Sequence, residues 1–306
     1  MLRYLLVAAC LLALPLHAAA AEKTKKVLYI GIDGTRFDAV EKAETPNLHA
    51  LMKEGIHSPN CLILGERYQK NDTISGPGWS TILTGVWADK HGVHDNQFKD
   101  SKYAEFPHLF ARLKEVNPKA RTVSHVTWKP VHEKITSAAD VTVNYEEKAH
   151  TVLDYDRYDN SAVDAGIKEL QEGNPDCLFV YIGQVDVAGH THGFHPTVPQ
   201  YTEAIQRADG LVGKLVAAMK ARKTIADEDW LVVVTTDHGG KGKGHGSGHK
   251  VPEILSSFLI VSGPSAKRGV FEEQIYLVDP AVTVLTHLIG KPKDEWKLDG
   301  KAVGLK

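Results

Sequence analysis

The sequence predicts an α/β fold in which a mostly parallel central sheet is sandwiched between helices. Three observations predict it. Residues 26–33 (KVLYIGID), 176–183 and 230–236 (WLVVVTT) are nearly unbroken apolar runs of strand length, as expected of strands buried on both faces. Amphipathic helical stretches lie between such runs. The longest is 200–222, which places Ala204, Ile205, Ala208, Leu211, Val212, Leu215 and Met219 on one face. Alternation of strand and helix along 306 residues then implies crossover connections, parallel pairing and helices on both faces.

Residues 1–21 come first and differ from the rest. Arg3 supplies a short positive region, 4–16 is an apolar run, and 18–21 are small residues suited to cleavage before Glu22. This reads as a secretory signal, too short to span a bilayer stably. Cys10 closes a possible lipoprotein box, but the apolar run continues past it, which argues against anchoring there. No later segment approaches 18 unbroken apolar residues. Residues 22–306 are therefore expected to form a single soluble domain, periplasmic or secreted, with no membrane span in the mature chain.

Within that domain, 26–33 is the first strand. Thr45-Pro46-Asn47 opens a helix through Leu48, Leu51 and Met52 that Gly55 stops. The pattern continues with a helix at 107–114, a strand at 121–127, a helix at 161–172 and the strand at 176–183. The long helix 200–222, the strands 230–236 and 258–262, and a closing helix at 280–288 complete it. Segment 97–160 is the least patterned and is expected to carry surface insertions. No repeat or Pro/Gly/Ser linker divides the chain. Charge is nearly balanced, with 36 Lys+Arg against 38 Asp+Glu, so no basic footprint for nucleic acid is evident. Cys61 and Cys177 border apolar segments and could be a disulfide or two buried thiols.

The stretch 71–96, NDTISGPGWSTILTGVWADKHGVHDN, holds the first chemical signal. A polar turn runs into Ser75 and Gly76-Pro77-Gly78, then into an apolar run (Trp79, Ile82, Leu83, Val86) at helical spacing. Thr73, Ser75, Ser80 and Thr81 crowd the helix start. Hydroxyls there sit among open backbone N–H groups at the positive end of the dipole, which favours a phosphate or a developing alkoxide. The same pattern also reads as a Ser N-cap with Pro in the first turn. Three buried strands then end in candidate ligands: Asp33-Gly34, Asp186 with His190 in D-x-x-x-H spacing, and Asp237-His238-Gly239. Singly, these are a turn, a helix cap with a surface histidine, and a strand end. Strand carboxyl ends in an open α/β sheet form the ligand crevice, so together they converge. Mixed Asp/His ligation suits Zn²⁺ better than Ca²⁺ or Mg²⁺.

The joint order of Asp33-Gly34, Ser75-Gly-Pro, Thr84-Gly85, His91-Gly92, Asp95-Asn96, Asp186-x-x-x-His190, Asp237-His238-Gly239, His245-Gly246 and Gly263-Pro264 resembles the alkaline phosphatase superfamily. The nearest branch is the nucleotide pyrophosphatase/phosphodiesterase group. The resemblance covers essentially the whole mature chain and implies an alkaline phosphatase-like fold with two divalent metal ions, Zn²⁺ in that group. It implies Asp186, His190 and a late histidine on one metal, and Asp33, Asp237, His238 and the nucleophile Ser75 on the other. Asn96 matches the residue that helps bind phosphoryl oxygens. The implied activity is hydrolysis of a small phosphate ester or nucleotide through a phosphoseryl intermediate. His245 fits the family spacing better than His249 as the late ligand.

Three positions depart from the branch: Ser75 stands for Thr, Gly76 for Phe and Trp79 for His. All three are expected beside the leaving group or the substrate wall, with loops 65–71, 97–103 and 128–134 shaping the pocket. Alternatives on the same scaffold are a phosphomonoesterase, a sulfatase or a catalytically inactive binding protein. The sulfatase pattern requires Arg where Trp79 stands, and a binding protein would be expected to have lost ligands. Diester, pyrophosphate or monoester preference and oligomeric state are not legible.

Overall fold

The computed structural model describes residues 22–63, 72–148 and 150–306. The signal expected at 1–21, with Cys10, and the pocket loop 65–71 lie outside the described residues. The strands are β1 (Thr24–Ile32), β2 (Ile56–Leu62), β3 (Thr122–Val126), β4 (Val141–Asn144), β5 (Cys177–Ile182), β6 (Glu228–Thr235) and β7 (Ser256–Ser262). Two short ones follow, β8 (Gly269–Val270) and β9 (Ile275–Tyr276). The helices are α1 (Phe37–Lys42), α2 (Pro46–Glu54), α3 (Ser75–Thr84), α4 (Ala88–His91) and α5 (Leu109–Val116). After these come α6 (Val152–Lys168), α7 (Gln184–His192), α8 (Pro199–Lys220), α9 (Pro252–Leu255) and α10 (Asp279–Ile289).

One sheet runs β4-β3-β5-β1-β6-β7-β2-β8, with β9 also on β2. Among the described strands, antiparallel pairing involves β7, which runs against both β6 and β2. In β1, Val27 and Tyr29 point into a core shared with Trp79 and Ile82 of α3, Phe110 of α5 and Leu285 of α10. Leu28, Ile30 and Ile32 point the other way, against Val40 of α1, Leu51 of α2, Val163 of α6 and Leu215 of α8. A strand apolar on both sides needs a cover on both sides, and each such aliphatic side chain contributes about 1.5–3 kcal/mol relative to exposure. The α/β sandwich read from the unbroken runs is what forms.

Several elements are not in the sequence reading. β2 contains Pro59, which argues against a strand; the pairing with β7 shifts register between Ser58 and Cys61 and absorbs it. Segment 97–160, expected to carry surface insertions, holds the helix and strand expected at 107–114 and 121–127 as α5 and β3, and adds β4 and the first half of α6, which were not expected. α6 starts nine residues before the expected 161, at a capping box in which Thr151 and Asp154 exchange side-chain and backbone hydrogen bonds. α1 and α7 were also unforeseen. Cys61 and Cys177 are free, fully buried thiols. Among the described residues no helix is long and apolar enough to cross a membrane.

The strand order positions the chemistry. β5, β1 and β6 are neighbours, so the residues after their carboxyl ends meet: Gly183 to Asp186, Asp33, and Asp237 with His238.

Candidate metal centre

Asp33 leaves β1 just before Gly34, whose φ is +63°. A Cβ there would come within 2.6 Å of Asp186 Oδ1, so the turn needs glycine for space as well as conformation. Asp186 and His190 are one turn apart on α7, which puts both side chains on one face. Asp237 and His238 follow β6, and His245 comes inward from the loop 239–250. His249 stays outside both ligand groups.

Two groups result. In one, His190 Nε2 lies 3.4 Å from Asp186 Oδ2, His245 Nε2 lies 3.5 Å from Asp186 Oδ1, and the two Nε2 atoms are 2.9 Å apart. In the other, His238 Nε2 is 3.6 Å from Asp33 Oδ1 and 3.2 Å from Asp237 Oδ2. The rings of His238 and His245 stack at 3.7 Å, which sets the groups side by side. Ser75 Oγ lies 3.3 Å from His238 Nε2.

The protons decide what this cluster can hold. His190 Nδ1 meets Lys243 O at 2.9 Å, His245 Nδ1 meets Thr73 O at 3.0 Å, and His238 Nδ1 meets Gly239 O at 2.8 Å. A carbonyl accepts only, so each Nδ1 donates, and in the neutral ring each Nε2 is left facing inward as an acceptor. Asp33 Oδ1, Asp186 Oδ1 and Asp237 Oδ2 are buried without any hydrogen-bond partner. Lone pairs therefore face lone pairs, an arrangement that burial makes costly unless a cation sits between them. Burial pushes the Asp186 carboxyl well up, and Asp33 adds to it; Asp237 rises through burial and the charges of Asp33 and Asp186. Burial also pushes His238 down, and His245 down to about 2 with His238 beside it. The residues present fit divalent metal ions.

Ser75 is the first residue of α3, after Ile74 at the cap position, and no side chain caps the helix. The Ser N-cap pattern is thus not what forms, and the Ser75 hydroxyl is turned to His238. Asn96 Oδ1 accepts from Gly76 N at 2.7 Å, and a Cβ on Gly76 would come within 2.7 Å of that oxygen. No bulky residue fits at position 76 in this packing. Trp79 is not on the substrate wall: it is fully buried against the sheet, with its indole N–H on Asp33 Oδ2 at 2.8 Å.

A cleft of about 370 Å³ opens over the groups, with Ser75, Asn96, His190 and His245 on its lining. Trp128, Tyr155 and Tyr181 line it as well, so the 128–134 loop does reach the pocket. A larger hollow of about 580 Å³ sits at the amino ends of β1 and β6, far from this chemistry. Among its charged groups, Lys26 is paired with Asp176 and also donates to Pro175 O, and Arg222 is paired with Glu228.

Supporting residues escaped sequence reasoning. Tyr181 donates its hydroxyl to Asp33 Oδ2, and the Thr73 hydroxyl donates to His245 O while accepting from Gly248 N. Asp159 of α6 accepts from Gly183 N and Gln184 N, both at 2.9 Å, where α7 begins.

The profile described as type I phosphodiesterase / nucleotide pyrophosphatase matches residues 27–243. The chain belongs to this family. A bis(5'-adenosyl)-triphosphatase of Pongo abelii is 25% identical over 239 residues, covering 70% of this chain and 47% of that protein. The chain spans about half the length of the curated relatives it matches. The murine ectonucleotide pyrophosphatase/phosphodiesterase 5 structure, an inactive variant in complex with AMP, superposes with a TM-score of 0.64 at 16% identity, over 93% of this chain and 97% of that one. A 2-O GAG sulfatase gives 0.69 at 13% identity, over 92% and 73%. Fold is shared with both, so the phosphodiesterase assignment rests on the family profile and not on shape.

Proposed function

We propose that this phosphodiesterase-family chain hydrolyses phosphoric diester or phosphoanhydride bonds of small nucleotide-like substrates through a phosphoseryl intermediate on Ser75. The observation that carries this is the Ser75 hydroxyl beside two Asp/His groups whose inward atoms are all acceptors. Asp186, His190 and His245 would hold one divalent ion, and Asp33, Asp237, His238 and Ser75 a second. The donor set suits Zn²⁺. When bound, such ions supply Lewis acidity at phosphoryl oxygens and lower the pKa of a hydroxyl or water.

Ser75 Oγ loses its proton and forms a bond to phosphorus as the bond to the leaving oxygen breaks. That oxygen departs from the face opposite Ser75 and takes up a proton. Water then attacks the same phosphorus, the Ser75–phosphorus bond breaks, and the hydroxyl is restored. Two inversions give net retention. Asn96 and the amino end of α3 hold the equatorial oxygens, where the transition state carries its charge. Trp128 and Tyr155 offer an aromatic wall for a planar leaving group or base, and the murine structure in complex with AMP supports a nucleotide-like substrate. Trp79 in place of the Arg that sulfatases require disfavours sulfate esters.

Export through a cleaved signal at 1–21, and a single catalytic domain over 22–306, belong to the same reading. One sheet that draws strands from both ends of the chain supports the domain. The test is a rate comparison on bis-p-nitrophenyl phosphate, p-nitrophenyl thymidine monophosphate and p-nitrophenyl phosphate with the zinc-loaded chain. Diesters should be fastest, and Ser75→Ala should lower kcat by several orders of magnitude while metal stays bound. A monoester turned over fastest would make it a phosphomonoesterase, and full activity in Ser75→Ala would end the phosphoseryl reading.

A further inference from the structure

We infer that Trp79, together with Tyr181, is a positioning residue that selects which oxygen of Asp33 faces the centre and ties Asp33 to the helix bearing Ser75. This rests on the metal-dependent reading above. Trp79 lies on α3 one turn after Ser75, fully buried on the side facing the sheet. Its Nε1–H donates to Asp33 Oδ2 at 2.8 Å, and the Tyr181 hydroxyl donates to the same oxygen. Oδ1 receives no hydrogen bond at all and points toward His238 Nε2, 3.6 Å away. Two donors on Oδ2 deny the carboxylate the rotation that would bring Oδ2 inward. Asp33 is thereby prepared as a ligand through Oδ1 alone, oriented by the partners of the other oxygen.

The fold makes room for this contact. Gly31, two residues before Asp33 on β1, has no side chain, and a Cβ there would come within 2.3 Å of the indole. The ring also meets Tyr181 edge-on at 5.1 Å between centroids, so both donors to Asp33 brace each other. A tryptophan that merely filled the core would need some acceptor for its N–H, but not a ligand carboxylate. Because α3 carries both Ser75 and Trp79, the bond to Asp33 fixes the nucleophile's helix against β1. Phe at position 79 would fill much of the same space without the donor.

The experiment uses the chain from residue 22, stripped with a chelator and titrated with Zn²⁺ alone against a competing indicator. Circular dichroism and urea unfolding of the metal-free chains report fold separately. Trp79→Phe and Tyr181→Phe should each keep the fold and lose about 10–100-fold in affinity at one of two sites, the cost typical of removing such a supporting hydrogen bond. The other site should bind as before, and the double variant should lose more than either single one. If Trp79→Phe does not fold, Tyr181→Phe, which removes only a hydroxyl, decides alone. Folded variants that bind two Zn²⁺ as tightly as the unaltered chain overturn the inference and leave the metal reading standing. An unaltered chain that binds no Zn²⁺ overturns both.

Discussion

At the residue scale the sharpest contrast is between His245 and His249, four residues apart in one glycine-rich loop. Thr73 separates them. Its carbonyl accepts from His245 Nδ1, its hydroxyl donates to His245 O, and Gly248 N donates back to that hydroxyl. This grip turns His245 Nε2 toward Asp186 and leaves His249 outside the groups. His245→Ala should lose one of two zinc ions on dialysis and most activity. His249→Ala should keep both. Metal counting by elemental analysis checks it, and a one-zinc His249→Ala chain would move the ligand four residues along.

At the scale of elements, α7 is the part whose placement matters most, since it carries Asp186 and His190 through only nine residues. It has no cap of its own. Asp159, fully buried on α6, supplies one by accepting from Gly183 N and Gln184 N, and Thr127 Oγ1 donates to it at 2.7 Å. Asp159→Ala leaves buried donors unpaired, which should cost about 1–3 kcal/mol per stranded group in urea unfolding. It should also loosen zinc retention at the Asp186 group. Asp159→Asn, which keeps an accepting oxygen, should fall between the two. Loss of stability with unchanged zinc retention in the alanine variant would mean that α7 is held from elsewhere. The T-x-x-D cap of α6 was readable in sequence; the cap of α7 was not, because its carboxylate comes from 24 residues upstream on another helix.

For the whole molecule, the end of the sheet that bears the candidate metal centre has a counterpart at the opposite end. There Arg222 and Glu228 pair at 2.7 Å with side chains 6% and 4% exposed, and Trp230 Nε1 also donates to Glu228. Burial alone would raise the Glu228 carboxyl, but the hydrogen bonds from Arg222, Trp230 and Thr224 win and hold it down at about 2. A depressed folded pKa means stability that is full above the unfolded value near 4.5 and lost as pH falls toward 2. Breaking the pair with Glu228→Gln should cost about 3–5 kcal/mol near neutral pH. The difference in Tm between the two chains should shrink as pH is lowered from about 6 to about 3. A constant gap over that range would mean that the charge on Glu228 is not what stabilises the fold.

The sequence by itself determined the fold class and the residue types that gather at the candidate metal centre. Apolar runs such as 26–33 and 230–236 are local, and so are the acidic and histidine residues that end them. A strand buried on both faces and a ligand at its carboxyl end both leave a mark within a few adjacent residues. Tertiary structure alone decided the rest, because those partners lie far apart in sequence. Trp79 reaches Asp33 over 46 residues, Tyr181 over 148, and Thr73 reaches His245 over 172. Trp79 in sequence is a large apolar residue at helical spacing; only the β5-β1-β6 order and the missing side chain of Gly31 turn its N–H onto a carboxylate. Pro59 speaks against β2 until β7 lies alongside and the register shift takes it up. A hydrogen bond made across the fold leaves no periodicity in the chain that makes it, so the candidate ligands were legible and the residues that aim them were not.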